Sequence, residues 1–190
     1  LAIIMTLIGT LLTALVIARE WERGTMEALM ATPVGINELI LGKAIPYFIM
    51  GMLSFITCVF IAIFYYEVPF RGSFLVLIAV SSVFLLSALG VGFLISTIAR
   101  SQFVAAQGAI VAAFLPAFIL SGFIFEIGSM PWPIRLVTHL VSASYYVSSL
   151  QTLFLVGNIW SLLIPNTLAM LTIALFFFGI AKHRIVKRLD

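Results

Sequence analysis

Charged side chains are scarce in this sequence. Asp, Glu, Lys and Arg make up 9% of its 190 residues, whereas hydrophobic residues make up 63%. A soluble domain carries about 25% charged residues, so the composition predicts a chain whose main solvent is lipid. The single cysteine, Cys58, excludes an intrachain disulfide and argues against a cysteine-based metal cluster. The net charge of +3 is too small to indicate a nucleic-acid-binding surface.

Catalytic motifs are absent as well. The sequence has no H-E-x-x-H, no G-x-S-x-G and no cysteine paired with a nearby histidine. Gly42-Lys43-Ala44 resembles the end of a phosphate-binding loop, but the Ser or Thr after the lysine and the earlier glycine are missing. We therefore predict no catalytic residue, no metal site and no cofactor on this chain.

Five apolar runs dominate the rest of the chain. Each is close to the roughly 20 residues that cross a bilayer as a helix, and they cover residues 1–18, 44–65, 73–99, 103–125 and 161–181. Lipid cannot satisfy the open edge of a sheet, so these runs are predicted to be helical. The predicted fold class is therefore all-α, a polytopic membrane protein with five transmembrane helices in this chain.

The Lys and Arg residues predict the orientation of these helices. Eight of the ten Lys and Arg residues lie on one side of the membrane, in residues 19–43, residues 99–107 and the C-terminal tail. Arg71 and Arg135 lie on the other side. The positive side faces the cytoplasm in most membrane proteins, so the C-terminus is predicted to be cytoplasmic. The first helix then starts outside, and we expect a further helix or an external domain upstream of it.

The external segment 126–160 is long and largely apolar. It predicts one or two short helices at the outer interface or dipping into the membrane, with the aromatic anchors Trp132, Tyr145, Tyr146 and Trp160. A water-exposed loop is the alternative.

Polar groups within the predicted membrane helices are hydroxyls and amides, without a charge at any helix centre. Proton relays, voltage sensors and ion-coupled transporters usually need such a charge. Hydroxyls such as those of Thr6, Thr10 and Thr13 either bond to their own helix or line a path for an amphipathic substrate. Pro46 and Pro116 are expected to kink or interrupt their helices.

Small residues recur every four positions in the fourth helix, which allows another helix to approach closely. They are Ala105, Ala109, Ala113, Ala117 and Ser121, and Ala88, Gly92 and Ser96 form a shorter stripe on the third helix. Packing within the chain and a seam between subunits are both compatible with these stripes.

The connection 19–43 contrasts with its apolar surroundings. Its first part, REWERGTMEALMATP, has charged residues at helical separations and predicts a charged helix on the cytoplasmic surface, with Arg23 and Glu27 paired and Thr32-Pro33 ending it. Such a helix is typical of a docking element for a soluble partner. The alternative is a solvated connection that only obeys the orientation rule.

The run from Ala18 to Val34 and the run Glu38-Leu39-Ile40-Leu41-Gly42-Lys43 resemble the cytoplasmic loop of ABC-2 type transporter permeases of the bacterial drug-efflux-like branch. Shorter pieces extend the resemblance: Ala99-Arg100-Ser101-Gln102, Leu120 to Phe125, Met130-Pro131 and Tyr145-Tyr146. The sequence departs from the family pattern where Ser142, Gln151 and Val156 stand in place of an expected Pro, Arg and Lys.

This resemblance implies a six-helix permease of the bacterial inner membrane that dimerises with a second copy or a paralogue. It implies a separate ABC ATPase subunit that holds the ATP and Mg and, in an envelope-spanning assembly, a periplasmic adaptor. The family's coupling helix docks on the ATPase, and the matching residues here are Glu20, Glu22, Arg23, Gly24, Thr25 and Glu27.

The function expected from these observations is export of a lipophilic or amphipathic substrate, driven by ATPase closure against residues 19–33. The rival is a membrane scaffold or assembly factor that anchors a soluble partner without transporting anything. A passive channel is disfavoured because the sequence has no polar ring or filter-like segment.

Overall fold

The computed structural model describes residues 1–30, 35–99, 101–121, 131–132 and 138–184. Every regular element in these ranges is a helix, and five helices are long and apolar enough to cross a membrane. The predicted all-α, five-span membrane protein is thereby confirmed. The helices are α1 (Ala2–Glu22), α2 (Thr25–Met30), α3 (Ile36–Phe64), α4 (Phe74–Ile98), α5 (Gln102–Leu120), α6 (Ser142–Gln151) and α7 (Trp160–Arg184).

The helix bounds differ from the predicted spans by three or more residues in three places. α1 continues past residue 18 to Glu22, α3 begins at Ile36 rather than near residue 44, and α7 continues past residue 181 to Arg184. All three extensions carry charged residues, which a count of apolar residues excludes from a span although the helix continues through them. The predicted end of the fourth span, residues 122–125, lies outside the described residues.

Helix α4 forms the centre of the bundle. It packs against α1, α3, α6 and α7, and buried side chains occur along its whole length, from Leu77 to Ser96. α3, in contrast, presents large apolar side chains outward, and Leu53, Phe60 and Phe64 are each at least 60% exposed. A helix that is apolar all round and exposed on one side is stable only against lipid, so α3 lies at the periphery of the bundle.

The contact between α1 and α4 is unusually close. A Cβ atom added at Gly9 would lie 2.8 Å from the Ala88 Cβ, and one at Gly92 would lie 2.6 Å from the Thr10 carbonyl oxygen. Ser96 Oγ accepts hydrogen bonds from the Ile17 and Ala18 backbone N–H groups at 2.9 and 3.0 Å. The stripe Ala88, Gly92 and Ser96 therefore serves packing within the chain.

The longer stripe on α5 is also buried within the chain. Ala105 and Ala109 pack with Ala14, Ala18 and Ala99 in one apolar cluster, and Ala113, Ala117 and Ser121 are at most 9% exposed. Side chains on the opposite side of α5, such as Phe103 and Val111, are more than 60% exposed. Contact between subunits through α5 would therefore use its outer side and not the small-residue stripe.

Proline affects α5 and α3 differently. In α5 a π-helical turn spans Ile110–Phe114, and the Leu115 N–H bonds to the Ile110 carbonyl immediately before Pro116. A proline lacks the N–H that the preceding turn needs, so the expected interruption at Pro116 takes the form of a shift in hydrogen-bond register. α3 runs continuously through Pro46.

The position of Tyr146 corrects an expectation. Tyr146 was predicted to be an interfacial anchor, but α6 carries it into the core, where it is 0% exposed and stacks on Phe84 at 4.1 Å. Its hydroxyl is hydrogen-bonded to Ser81 Oγ at 2.8 Å, which satisfies two buried polar groups at once. Trp132 and Trp160 are 74% and 57% exposed, and their role as interfacial anchors stays a prediction.

The close packing of α1 and α4 yields a stability prediction. Gly92→Ala should lower the free energy of unfolding by about 1–3 kcal/mol, because overpacking strains the contact and the Thr10 backbone oxygen cannot rotate away. Thermal unfolding in detergent micelles measures the change. Gly42→Ala is the matched control, because nothing lies within 4 Å of its added Cβ and alanine favours a helix; equal stability of both variants would contradict the packing.

Candidate functional site

The charged residues of the predicted coupling segment lie where α1 ends, α3 and α5 begin and α7 ends. We call this region the charged end of the bundle. Glu20 and Glu22 belong to the last turns of α1 itself. The expectation of one separate helix over this segment is therefore wrong, because the membrane helix continues to Glu22 and a turn separates it from α2.

Gly24 makes that turn. Its φ of +69° is a left-handed conformation that L-residues rarely adopt. The Arg23 N–H bonds to the Arg19 carbonyl at 3.0 Å, and the Gly24 N–H bonds to the Trp21 carbonyl at 3.2 Å, so the last carbonyls of α1 are satisfied in the manner of a glycine C-cap. Gly24 places Arg23 at the end of α1 and Glu27 in α2, so the two residues do not share one helix, and the expected Arg23–Glu27 pair stays a prediction.

Among the side chains of α2 that the structure describes, that of Met26 is buried and anchors the helix. Met26 is 2% exposed and packs in a cluster drawn from α1, α3, α4 and α7: Val16, Ile17, Ile40, Ala44, Phe93 and Ala181. A six-residue helix is marginal in isolation, so this anchor fixes its position. Thr25 and Ala28 are exposed, and the side chain of Glu27 lies outside the described residues, as does the expected helix end at Thr32-Pro33.

Glu20 links three helices. Its carboxylate accepts a hydrogen bond from Lys43 Nζ of α3 at 2.7 Å and another from the Thr25 hydroxyl at the start of α2. The Lys43 and Glu20 side chains are 21% and 24% exposed, so water screens the pair only in part. Lys43 was not among the predicted coupling residues.

Glu22 links α1 to α5. Its Oε2 accepts a hydrogen bond at 2.8 Å from the backbone N–H of Gln102, the first residue of α5, and Arg19 Nε donates to Gln102 Oε1 at 3.3 Å. A carboxylate at a helix N-terminus also interacts favourably with the helix dipole. Gln102 was not predicted as a site residue, although Ser101 before an apolar run is a recognisable N-cap signal.

Five of the six predicted residues separate into two groups, and the sixth is Glu27, whose side chain lies outside the described residues. Glu20 and Thr25 face each other and brace the segment, while Glu22, Arg23 and Gly24 are exposed at its tip. This arrangement offers a soluble partner a fixed charged turn that is hydrogen-bonded to two other helices. In the described ranges no group of three His, Cys, Asp or Glu side chains could hold a metal ion.

The turn at Gly24 can be tested directly. Gly24→Ala should weaken it by about 1 kcal/mol, because alanine has a Cβ that disfavours positive φ, while Asn tolerates this conformation better. Trypsin cleavage after the exposed Arg23 should be faster in Gly24→Ala than in wild type, and Gly24→Asn should resemble wild type. Cleavage of Gly24→Ala at the wild-type rate would contradict the strained turn.

Comparison with known proteins gives a consistent family relationship. The family described as ABC-2 family transporter protein matches residues 1–182. The probable multidrug ABC transporter permease YbhS of Escherichia coli K12 is 55% identical over 188 residues, which cover 99% of this chain and 50% of that protein. The probable multidrug ABC transporter permease YbhR of the same strain is 32% identical over 176 residues, covering 86% of this chain and 46% of that protein.

A less similar relative is also a transport permease. The inner membrane transport permease YhhJ of E. coli K12 is 27% identical over 188 residues, covering 96% of this chain and 49% of that protein. The chain thus spans about half the length of the curated relatives it matches. No solved structure gives a significant match.

Proposed function

Because this chain belongs to the ABC-2 family of transporter proteins, we propose that it forms the membrane part of a permease subunit in an ATP-driven exporter. A separate ABC ATPase chain supplies the energy and holds the ATP and Mg. The exporter lies in the bacterial inner membrane, with the charged end of the bundle and the C-terminus in the cytoplasm, as the positive-inside rule favours.

The observation that carries this proposal is the braced charged turn at Glu22, Arg23 and Gly24. It combines exposure with rigidity: Met26 is buried below it, Glu20 is paired with Lys43 at 2.7 Å, and Glu22 is bonded to the start of α5. A partner that pushes on a flexible loop moves only the loop. A partner that pushes on this turn displaces the end of α1 together with the helices bonded to it.

Force transmission follows from these bonds. ATP-driven closure of the partner shifts the bundle only if the partner contacts the two states of the turn with different free energy. The mixed charges at the turn provide such a differential contact. The displacement then passes through Glu22 to α5 and through Glu20 and Lys43 to α3.

The substrate path lies outside the interior of the single chain in this proposal. The Thr6, Thr10 and Thr13 hydroxyls each bond to a carbonyl of their own helix, and a cavity beside Thr6 and Thr10 has a volume of only about 80 Å³. Small-molecule pockets usually measure about 300–1,000 Å³. We therefore assign the path to the surface between this chain and a second permease copy or paralogue, and we assign a lipophilic or amphipathic substrate to it.

A membrane scaffold that anchors a soluble protein is the rival function. It would also use an exposed charged turn, but it would not need that turn to be bonded to α5. Substrate-stimulated ATPase activity in reconstituted vesicles distinguishes the two, because a scaffold assembles without such stimulation.

The coupling role is tested with the triple variant Glu22→Ala, Arg23→Ala and Glu27→Ala in the full-length protein. Removing the charges of the turn should reduce co-purification of the ATPase and abolish efflux of a lipophilic dye such as ethidium from cells. Arg71→Ala, which removes an exposed charge between α3 and α4, is the control and should leave both unchanged. Normal assembly and efflux in the triple variant would refute the coupling assignment.

The link between α1 and α5 can be tested separately from ATPase binding. Gln102→Pro removes the N–H that bonds to Glu22, and proline suits the first position of a helix; the extended Ser101, at φ −133° and ψ 149°, suits a following proline. This variant should bind the ATPase normally and lose dye efflux several-fold. Gln102→Ala keeps the N–H and should keep most of the efflux.

Equal efflux by Gln102→Pro and Gln102→Ala would show that the backbone bond does not carry the coupling. Loss of ATPase binding in the proline variant alone would show that the bond only shapes the docking surface.

A further inference from the structure

A groove runs between α3 and α7 at the charged end of the bundle. Its volume is about 810 Å³, which is within the range of small-molecule sites. The lining is apolar except at the charged end, where Asn37 of α3 and Lys182 of α7 close it. None of these residues belongs to the braced turn at Glu22, Arg23 and Gly24.

Small residues on both helices form the groove. Ala44 and Ala174 line its floor and are 7% and 2% exposed, whereas Leu41, Ile45 and Leu175 rise at its sides and are each more than 50% exposed. A Cβ atom added at Gly179 would meet nothing within 4 Å. The groove is therefore a concave surface with a buried floor, open along one side in the part of the chain that the structure describes.

The polar end of the groove carries a positive charge. Lys182 is exposed, and in the described part of the chain the ion pair is the one between Lys43 and Glu20, so no described carboxylate neutralises Lys182. Asn37 is exposed on the facing helix and adds an amide that can donate two hydrogen bonds. An occupant that matches both parts of the groove has an anionic head and an apolar tail.

We propose that this groove binds an anionic phospholipid from the leaflet at the charged end. Its phosphate lies against Lys182 and Asn37, and an acyl chain lies along the floor between Ala44 and Ala174. Basic pockets between transmembrane helices bind anionic headgroups, and a lysine at a helix end reaches the headgroup layer with its charge while its stem covers apolar surface.

Photolabelling tests the site in the full-length protein. The protein is reconstituted in phosphatidylethanolamine vesicles that contain a trace of photoactivatable phosphatidylglycerol or, in a parallel sample, photoactivatable phosphatidylethanolamine. Labelled peptides are mapped by mass spectrometry, and labelling at Leu41, Ile45 and Leu175 is compared with labelling at the lipid-facing Phe60 and Phe64. We expect the anionic probe to be enriched in the groove and the zwitterionic probe to label both regions alike.

Two pairs of variants separate the headgroup contact from the tail contact. Lys182→Gln should reduce groove labelling by the anionic probe about fivefold, the effect of one lysine at a membrane surface, whereas Arg184→Gln, outside the groove, should not. Gly179→Leu fills the groove and should reduce labelling by both probes. Gly42→Leu is its control and should leave labelling unchanged, because Gly42 lies outside the groove and its added Cβ also meets open space.

Thermal unfolding and gel filtration check that each variant is folded. If Gly179→Leu does not fold, the result for Lys182→Gln alone decides whether the groove binds the anionic lipid. Equal labelling of the groove by the two probes, or anionic labelling that survives Lys182→Gln, overturns the proposal. Cross-links from the groove to a second copy or to the part of the full-length protein outside these 190 residues, or loss of labelling when ethidium is added, identify another occupant and overturn it as well.

Discussion

The close contact between α1 and α4 is the constraint on which the rest of the structure depends. Gly92 allows the Thr10 carbonyl to approach its backbone, and Ser96 receives hydrogen bonds from the backbone of α1. In lipid, helices gain no hydrophobic free energy by meeting each other, so close van der Waals contact and interhelical hydrogen bonds must hold them together. α1 is thus fixed to the central helix of the bundle, and the same contact holds the charged turn at its end.

The charged end shows how few polar bonds are needed to connect helices that pack mainly through apolar contacts. Glu20 bonds to α2 and α3, and Glu22, the last residue of α1, bonds to α5. Glu20 and Glu22 lie two positions apart on one helix and so project in different directions, which lets one helix end reach several neighbours. Each bond is partly exposed and individually modest. Together they connect the end of α1 to three other helices, α2, α3 and α5.

Much of the fold could be predicted from the sequence, because apolar runs of bilayer length have few alternatives in lipid. The helix boundaries were harder to predict from the sequence. α1 extends through Glu20 and Glu22, because charged residues end an apolar run without ending a helix. Tyr146 was misassigned because an aromatic near a membrane surface suits either an interface or a core, and its hydrogen bond to Ser81, 65 positions earlier, is visible only in three dimensions. Gln102 was missed for the same reason, since it acts through its backbone N–H, which every residue but proline has.

The two sides of the bundle suit different tasks. On the α1 and α5 side, small residues such as Ala105 and Ala109 pack with Ala14 and leave little free space, so displacement of one helix must move the other. On the α3 and α7 side, alanine and glycine face each other without meeting, and a groove of about 810 Å³ remains. The phospholipid that we propose for this groove supplies the contacts that protein atoms do not. In our two proposals the α1 and α5 side transmits force and the α3 and α7 side holds lipid, so we expect the composition of the leaflet to affect how α3 is held.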